Sequence, residues 1–190
     1  MNKPFIADKE FIGETYSKNR LPKGEYENCI FKNCDFSNGY IDNQNFIECE
    51  FIECNMGNAN IALTLFKEVT FTNCKMIGLK FEECNPFLLS FKFYDCILDY
   101  CSFYQLKLKG TTFAQCKLIQ ADFTETDLTN ANFDACDLKE ATFFDANLEN
   151  TDFRTALSLR IDPERNRLRK TKFSKENMIG LLTKYDIIIG

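Results

Sequence analysis

Histidine and tryptophan are absent from this chain, and glycine and proline are scarce, with 8 and 4 copies among 190 residues. Without histidine, the chain lacks the most frequent general base and the most frequent metal ligand of proteins. It also lacks C-x-x-C pairs, phosphate-binding glycine loops and a G-x-S-x-G elbow. We therefore predict that the protein is not an enzyme and has neither a metal site nor a cofactor.

Long apolar segments are missing as well. The sequence contains no stretch of about 18 apolar residues, the length that a membrane-spanning helix needs. Its beginning, MNKPFIADKE, lacks the apolar core of a signal peptide. These absences predict a cytoplasmic protein, in which the ten cysteines stay reduced. The net charge of −5 argues against direct binding of nucleic acid.

Phenylalanine is abundant, with 20 copies, and its placement is periodic. Large apolar residues occupy every fifth position in two runs. The first run is Tyr26, Phe31, Phe36, Ile41, Phe46, Phe51, Met56, Ile61, Phe66, Phe71, Met76 and Phe81. The second run is Leu88, Phe93, Leu98, Phe103, Leu108, Phe113, Leu118, Phe123, Leu128, Phe133, Leu138, Phe143, Leu148 and Phe153. Nine of the ten cysteines lie two residues before a member of a run, a position otherwise rich in alanine and threonine.

A period of five fits neither a helix nor a flat strand. Five helical residues turn the chain by about 500°, which would scatter the run around the axis, and a strand would send every second member into water. A chain that bends once per repeat keeps all members inside, and four such sides close a coil of about twenty residues. We predict an all-β solenoid, a quadrilateral β-helix of about seven coils over residues 1–155. Inward cysteines would then act as small apolar residues, with a metal or redox role as the alternative.

A step of seven residues separates Phe81 from Leu88 and makes a phase break at 82–87. The proline in this segment is typical of a loop. Two interpretations stay open, namely an insertion tolerated at a corner and a loop that contacts a partner. The candidate loop residues are Glu82, Glu83, Asn85, Pro86 and Phe87.

The repeat ends after Phe153, and residues 156–190 are predicted to cap the last coil. Ser174 can cap a helix that starts near Lys175, and a short strand is expected at 186–190. The segment either covers only the last coil or also forms a dimer contact. Its candidate contact residues are Met178, Leu181, Leu182, Tyr185, Ile187, Ile188 and Ile189.

Acidic residues accumulate between positions 121 and 153, where Lys139 is the only base. They are Asp122, Glu125, Asp127, Asp134, Asp137, Glu140, Asp145, Glu149 and Asp152. All would point to corners or solvent, and we expect some aspartates to bind turn amides. The remaining carboxylates either keep the rod in solution or form a regular negative column that imitates DNA and binds a basic groove.

This pattern resembles the pentapeptide-repeat family, whose consensus A(D/N)LXX is matched by ADFTE at 121–125 and ANFDA at 131–135. The resemblance implies a right-handed quadrilateral β-helix, to which the residues of the tail add a C-terminal helix and strand cap. The tail, with IDPERNRL at 161–168 and GLLTKYDIIIG at 180–190, is similar to that of Qnr-type and McbG-type members, which protect DNA gyrase and topoisomerase IV from quinolones or a microcin.

The resemblance implies a homodimer through the C-terminus and a non-enzymatic protein-binding module. It further implies a DNA mimic that modulates or protects gyrase or topoisomerase IV, in antibiotic or toxin resistance. The alternative is a general protein-interaction scaffold with a different partner and no effect on topoisomerases.

Overall fold

The computed structural model describes residues 3–185 and 187–188, in which the chain folds as a parallel β-solenoid. The strands are β1 (Phe5–Ala7), β2 (Glu10–Ile12), β3 (Glu25–Glu27), β4 (Ile30–Lys32), β5 (Asn45–Ile47), β6 (Glu50–Ile52), β7 (Leu65–Lys67), β8 (Val69–Thr72), β9 (Phe91–Tyr94), β10 (Thr112–Ala114) and β11 (Asn132–Asp134). The helical elements of this part of the chain are three short 3-10 turns, η1 (Phe81–Glu83), η2 (Asn177–Leu181) and η3 (Thr183–Tyr185). None of the described segments forms a helix long and apolar enough to cross a bilayer.

Each strand stacks on the strand one coil earlier. Strands β1, β3, β5 and β7 form a four-stranded sheet, and β2, β4, β6, β8, β9, β10 and β11 form a seven-stranded sheet. Paired residues such as Phe31 and Phe51 are twenty positions apart, as the repeat predicts. The seven strands span six turns, and isolated bridges extend the ladder from Asn132 to Asp152 and Lys172. The prediction of an all-β solenoid is confirmed.

Every coil has four sides, which we name by their central inward residues. The central residues are Phe93, Phe113 and Phe133 on side A, Leu98, Leu118 and Leu138 on side B, Phe103, Phe123 and Phe143 on side C, and Leu108, Leu128 and Leu148 on side D. The residues directly before and after a central residue point outward. The residue two before it points inward, at what we call the small position, and the residue two after it forms a corner.

The central residues fill a dry interior. Every member of the two predicted runs is buried except Leu88. Rings one coil apart stack, with centroids 4.8 Å apart for Phe113 and Phe133, and rings of sides A and C meet edge to face, at 5.9 Å for Phe113 and Phe123. Small residues two positions earlier leave room for these rings, which permits the dense packing that a closed core requires.

The corners are made by residues in the left-handed backbone region. The φ angle is 51° at Asn38 and 61° at Asn130, and residues of most other corners have similar values. Asparagine and glycine adopt this conformation at little cost, but Leu63 and Tyr100 adopt it too. One left-handed residue per repeat supplies the bend that a period of five requires.

The phase break differs from the prediction. Leu88 was expected inside, as the first member of the second run, but it is exposed and has a φ of 54°. The chain re-enters the core at Phe91, which is buried and lies 5.7 Å from the ring of Phe66. The ladder on side A continues unbroken, with Phe71 paired to Phe93, although these residues are two positions further apart than in a regular coil. The two inserted residues are therefore accommodated by an outward bulge on side D.

The C-terminal cap is not the predicted α-helix. Residues 177–185 form η2 and η3, and Ser174 Oγ accepts the N–H of Asn177 at 3.1 Å. Of the four residues expected on one buried helical face, only Leu181 packs against the core, while Met178, Leu182 and Tyr185 are exposed. The segment buries its backbone rather than a side-chain face.

Gly180 gives the physical reason for this difference. Its backbone lies so close to the carbonyl oxygen of Leu159 that a Cβ atom would overlap that oxygen, and the N–H of Ile161 donates to the Gly180 carbonyl at 3.3 Å. A helix packed through its side chains would hold the backbone too far away for these contacts. Ile187 and Ile188 are not in a strand, and the rest of the predicted strand lies outside the described residues.

Candidate partner-binding surface

The cysteine side chains are packed in the interior. All ten are free and buried, and burial raises the pKa of Cys49 and of Cys101 to about 12. Thiols with such pKa values stay protonated at neutral pH and are poor nucleophiles. Within the described residues, no three His, Cys, Asp or Glu side chains are placed to hold a metal ion together.

The small positions have a structural role in which cysteine and threonine are equivalent. The Sγ of Cys49 lies 3.3 Å from the carbonyl oxygen of Tyr26, the central residue one coil earlier. Thr126 Oγ1 donates to the carbonyl oxygen of Phe103 in the same relation, at 2.8 Å. These groups thus give a buried carbonyl a donor, a role beyond that of the small apolar residues predicted for the cysteines.

A depression of about 800 Å³ on the outer surface is lined partly by Asp134, Asp152, Arg154 and Lys172. Asp152 accepts a bidentate pair of hydrogen bonds from Arg154, the closest at 2.8 Å, and lies 3.5 Å from Lys172. The hydrogen bonds from Arg154 hold the pKa of Asp152 below its ordinary value. Asp152 is therefore a charged, paired group rather than a proton donor or acceptor at neutral pH.

The nine acidic residues predicted as a partner surface lie on all four sides of the solenoid. They are Asp134 and Asp152 on side A, Asp137 and Glu140 on side B, Asp122, Glu125 and Asp145 on side C, and Asp127 and Glu149 on side D, with each corner counted with the side before it. The expected single negative column is therefore not formed. The nine carboxylates wind around the rod instead.

Four of these aspartates also stabilise the backbone. Asp122, Asp127, Asp137 and Asp152 each accept the N–H two residues further on, at 2.9 to 3.1 Å. This is the turn-amide contact expected for aspartate at that position. Partial burial disfavours the ionised form of Asp127, but hydrogen bonds from Thr129 and Lys109 outweigh it and lower its pKa.

Basic residues of the tail lie one coil beyond three of the acids. The pairs are Asp145–Arg165 at 3.6 Å, Glu149–Arg169 at 3.7 Å and Asp152–Lys172 at 3.5 Å. Exposed pairs of this kind contribute little to stability. They do neutralise part of the acidic surface near the C-terminal end, which reduces the charge that a partner would meet there.

Side C differs from the other sides in its charge. Its outward and corner positions hold eight acids, namely Asp42, Glu82, Glu83, Asp122, Glu125, Asp145, Asp162 and Glu164. The same positions hold four bases, namely Arg20, Lys23, Lys80 and Arg165. Sides A, B and D carry acids and bases in nearly equal numbers. Ion pairs engage five of these acids, namely Asp42, Glu83, Asp145, Asp162 and Glu164. The excess of negative charge on side C therefore lies mainly at Glu82, Asp122 and Glu125.

Three exposed aromatic residues lie on side C, namely Tyr40, Tyr104 and Phe144, and the last two lie nearest to Asp122 and Glu125. Tyr104 and Phe144 are exposed, and the Tyr104 hydroxyl lies 3.3 Å from Glu125 Oε1, which places it within reach to donate. The Arg165 guanidinium lies over the Phe144 ring, 4.0 Å from its centroid. Tyr104 and Phe144 lie outside the acidic segment or between its acids, so grouping acids along the chain does not reveal them. Aligning successive coils of twenty residues with one another places Tyr104 and Phe144 beside Asp122 and Glu125.

The predicted loop is divided between two sides. Glu82 and Glu83 belong to η1 on side C, whereas Pro86 and Phe87 are exposed in the bulge on side D. Asn85 Oδ1 accepts the Phe87 N–H at 3.0 Å and closes a turn. Two of the five loop residues thus join the acidic side and the other three do not.

The predicted dimer residues lie at the C-terminal end of the rod. Met178, Leu182, Tyr185, Ile187 and Ile188 are exposed. Leu181 faces the core instead, and Ile189 lies outside the described residues. Ile179, which the sequence analysis did not single out, is also exposed, so this end presents several apolar side chains.

Comparison with known proteins identifies one family profile. The profile described as "Pentapeptide repeat region" matches residues 25–92 and 80–153. No curated protein sequence matches the chain. The matched residues include both runs of the repeat and the phase break between them.

Solved structures with a similar fold include a trypsin-treated variant of QnrB1, a plasmid-mediated fluoroquinolone resistance protein. It is 20% identical, with a TM-score of 0.50, over 97% of this chain and 99% of that one. Full-length QnrB1 is 20% identical, with a TM-score of 0.41, over 96% and 100%. HetL, involved in heterocyst differentiation regulation in the cyanobacterium Nostoc, is 14% identical, with a TM-score of 0.34, over 90% and 88%. Of these three structures, only the trypsin-treated QnrB1 variant, with its TM-score of 0.50, is similar enough to support an argument, and at 20% identity that argument concerns the fold alone.

Proposed function

Since this chain belongs to the pentapeptide repeat family, we propose that it is a non-enzymatic protein-binding module that contacts a basic partner surface through side C. The observation that carries this proposal is the excess of eight acids over four bases on that side. Complementary charge steers a basic partner toward such a surface. The exposed Tyr104 and Phe144 beside the carboxylates are of the kind enriched in protein interfaces.

The partner that we propose is DNA gyrase or topoisomerase IV. A groove that binds DNA is rich in lysine and arginine, so an acidic rod can occupy it as a DNA mimic and modulate or protect the enzyme. The fold shared with QnrB1, described as a fluoroquinolone resistance protein, supports this choice. The protein would act in the cytoplasm, where these enzymes act on DNA.

We also propose a homodimer through the C-terminal end. The exposed Met178, Ile179 and Leu182 would meet the same residues of a second copy, as isologous interfaces do. Two solenoids joined at this end would place two acidic sides along one elongated rod. Such a rod offers more charge to a DNA-binding groove than a single chain does.

Supercoiling by purified gyrase tests the proposed partner. We expect the protein, added in increasing amounts, to change supercoiling or to reduce quinolone-induced cleavage, and the effect to fall steeply with added salt because exposed charges are screened. The control is the same titration with an unrelated acidic protein of similar size. Unchanged supercoiling and cleavage at tenfold molar excess over gyrase and topoisomerase IV would contradict this partner.

A general interaction scaffold is the second candidate function. It is favoured by the spread of the nine predicted acids over four sides and by the use of several for turn amides. A scaffold of this kind would bind a partner other than a topoisomerase, with an affinity that is nearly independent of salt. Binding isotherms at low and high salt separate the two functions.

A further inference from the structure

The C-terminal cap, which we define as residues 174–185, is attached to the last coil at three points. At its beginning, the Asn177 side-chain amide donates to the carbonyl oxygens of Phe153 and Ala156 at 2.7 and 2.8 Å. In its middle, the Gly180 backbone packs against Leu159, as described above. Neither of these attachments involves a charged group.

The third attachment is at the far end of the cap and is ionic. Lys184 Nζ lies 2.6 Å from Asp162 Oδ1 and 2.7 Å from Glu164 Oε2. Tyr185 completes the cluster by donating its hydroxyl to Glu164 Oε1 at 2.9 Å. Among the described residues, these are the only ion pairs that join the cap to the coil.

Two carboxylates converge on one ammonium group, and this arrangement is stronger than a single exposed pair. The Lys184 side chain is 25% exposed, whereas those of Asp162 and Glu164 are 36% and 69% exposed, so the gain over a single pair comes from the two carboxylates on one ammonium and not from burial. The Lys184 side chain closes over the end of side C, where Asp162 and Glu164 are the last acids. Without it, the cap would be held only by Asn177, Gly180 and the packing of Leu181 against the core.

We infer that Lys184 latches the cap and, through the cap, positions Leu182 of the dimer face. The second part rests on the proposed homodimer. Losing the ammonium frees η3 from the last coil, and the apolar residues between the latch and Gly180 lose their fixed orientation. A dimer that needs those residues in one geometry would then dissociate more readily.

Hydrogen exchange and sedimentation equilibrium of the full chain test this inference together. In Lys184→Met we expect the exchange of the Leu182 and Tyr185 amides to accelerate about fivefold, and the dimer dissociation constant to rise by a similar factor. Lys184→Arg should restore both values, because a guanidinium can bind the two carboxylates. Lys175→Met removes an exposed cation from the same cap and should change neither.

A reciprocal change checks that the effect runs through the two carboxylates. The double variant Asp162→Asn with Glu164→Gln should reproduce the faster exchange, and adding Lys184→Met to it should accelerate exchange no further. Unchanged exchange in Lys184→Met would overturn the latch. Faster exchange with an unchanged dimer constant would overturn the positioning role. A wild-type chain that stays monomeric would instead refute the proposed homodimer, and the latch would then be tested by the hydrogen-exchange rates alone.

Discussion

At the scale of single residues, one coil approaches the next closely at the small position before Ile41. Gly39 occupies this position, and a Cβ atom there would lie 2.7 Å from the carbonyl oxygen of Tyr16 and 2.9 Å from that of Phe36. Both oxygens belong to the backbone and cannot move without shifting a coil. Gly57 is different, since the nearest atom to a Cβ there, Asn55 Oδ1, is 3.4 Å away.

We therefore predict that Gly39→Ala lowers the free energy of unfolding by about 2 kcal/mol. Gly57→Ala should leave this free energy unchanged or raise it by up to about 1 kcal/mol, because alanine reduces the freedom of the unfolded chain. Urea unfolding of the two variants measures the difference. Equal stabilities would show that the coils are less closely packed at Gly39 than described.

A second residue-scale prediction concerns the donors of the small positions. Thr126→Val keeps the shape of the side chain but removes the 2.8 Å hydrogen bond to the Phe103 carbonyl oxygen, so we expect a loss of about 1 kcal/mol. Thr126→Ser keeps the hydroxyl and should lose less. Urea midpoints of the two variants test this order, and a more stable valine variant would refute the proposed role of the hydroxyl.

At the scale of elements, the regular sides were predictable and the two irregular segments were not. A period of five leaves one way to keep large residues such as Phe113 and Phe123 dry, so the inward positions follow from the sequence alone. At the phase break, spacing alone assigned Leu88 to the interior, whereas Leu88 is exposed and Phe91, paired with Val69, is buried beside Phe66.

The cap was mispredicted for a different physical reason. The spacing of Met178, Leu181, Leu182 and Tyr185 fits a helical face, but the tertiary contact of Gly180 with Leu159 outweighs that local pattern. Ser174 accepts the N–H of Asn177, but the N-cap residue of η2 is Glu176 and not Ser174. A contact between distant backbone segments leaves no periodic signal in the sequence.

The last coil and the cap should loosen selectively in acid. Hydrogen bonds from Arg154 lower the pKa of Asp152, and those from Lys184 lower the pKa of Asp162 and of Glu164. The folded-state pKa values of these carboxyl groups lie below the ordinary values of 3.8 for Asp and 4.5 for Glu. The ionised carboxylates therefore stabilise the fold fully at a pH above the ordinary pKa values, and this stabilisation is lost as the pH falls through the lowered pKa values.

Hydrogen-exchange protection factors at pH 6 and pH 3 measure this effect. We expect the amides of residues 161–185 to lose protection at the lower pH, while amides of the central coils, residues 93–120, keep theirs. A uniform loss along the whole chain would show that these carboxylates do not stabilise the C-terminal end specifically.

At the scale of the whole molecule, the arrangement of charge matters more than its amount. The acidic residues counted along the sequence between 121 and 153 are distributed over four sides, whereas the excess of acid over base lies on side C. Its members come from distant segments, such as Asp42, Glu82 and Asp122. The carboxylates were therefore identifiable from the sequence, but the surface that they form required the register of the coils.

The central claim, that side C is the contact surface, is tested most directly by two matched triple variants in a binding measurement with gyrase. One carries Asp122→Asn, Glu125→Gln and Asp145→Asn on side C. The other carries Asp134→Asn, Asp137→Asn and Glu149→Gln on the other three sides. Each removes three negative charges and keeps the side-chain shapes.

We predict that the side C variant binds about tenfold more weakly than the wild type, with a smaller dependence on salt, while the control variant keeps nearly the wild-type affinity. Equal weakening by the two variants would contradict the claim, because binding would then follow the total charge of the rod and not the side on which the charge lies.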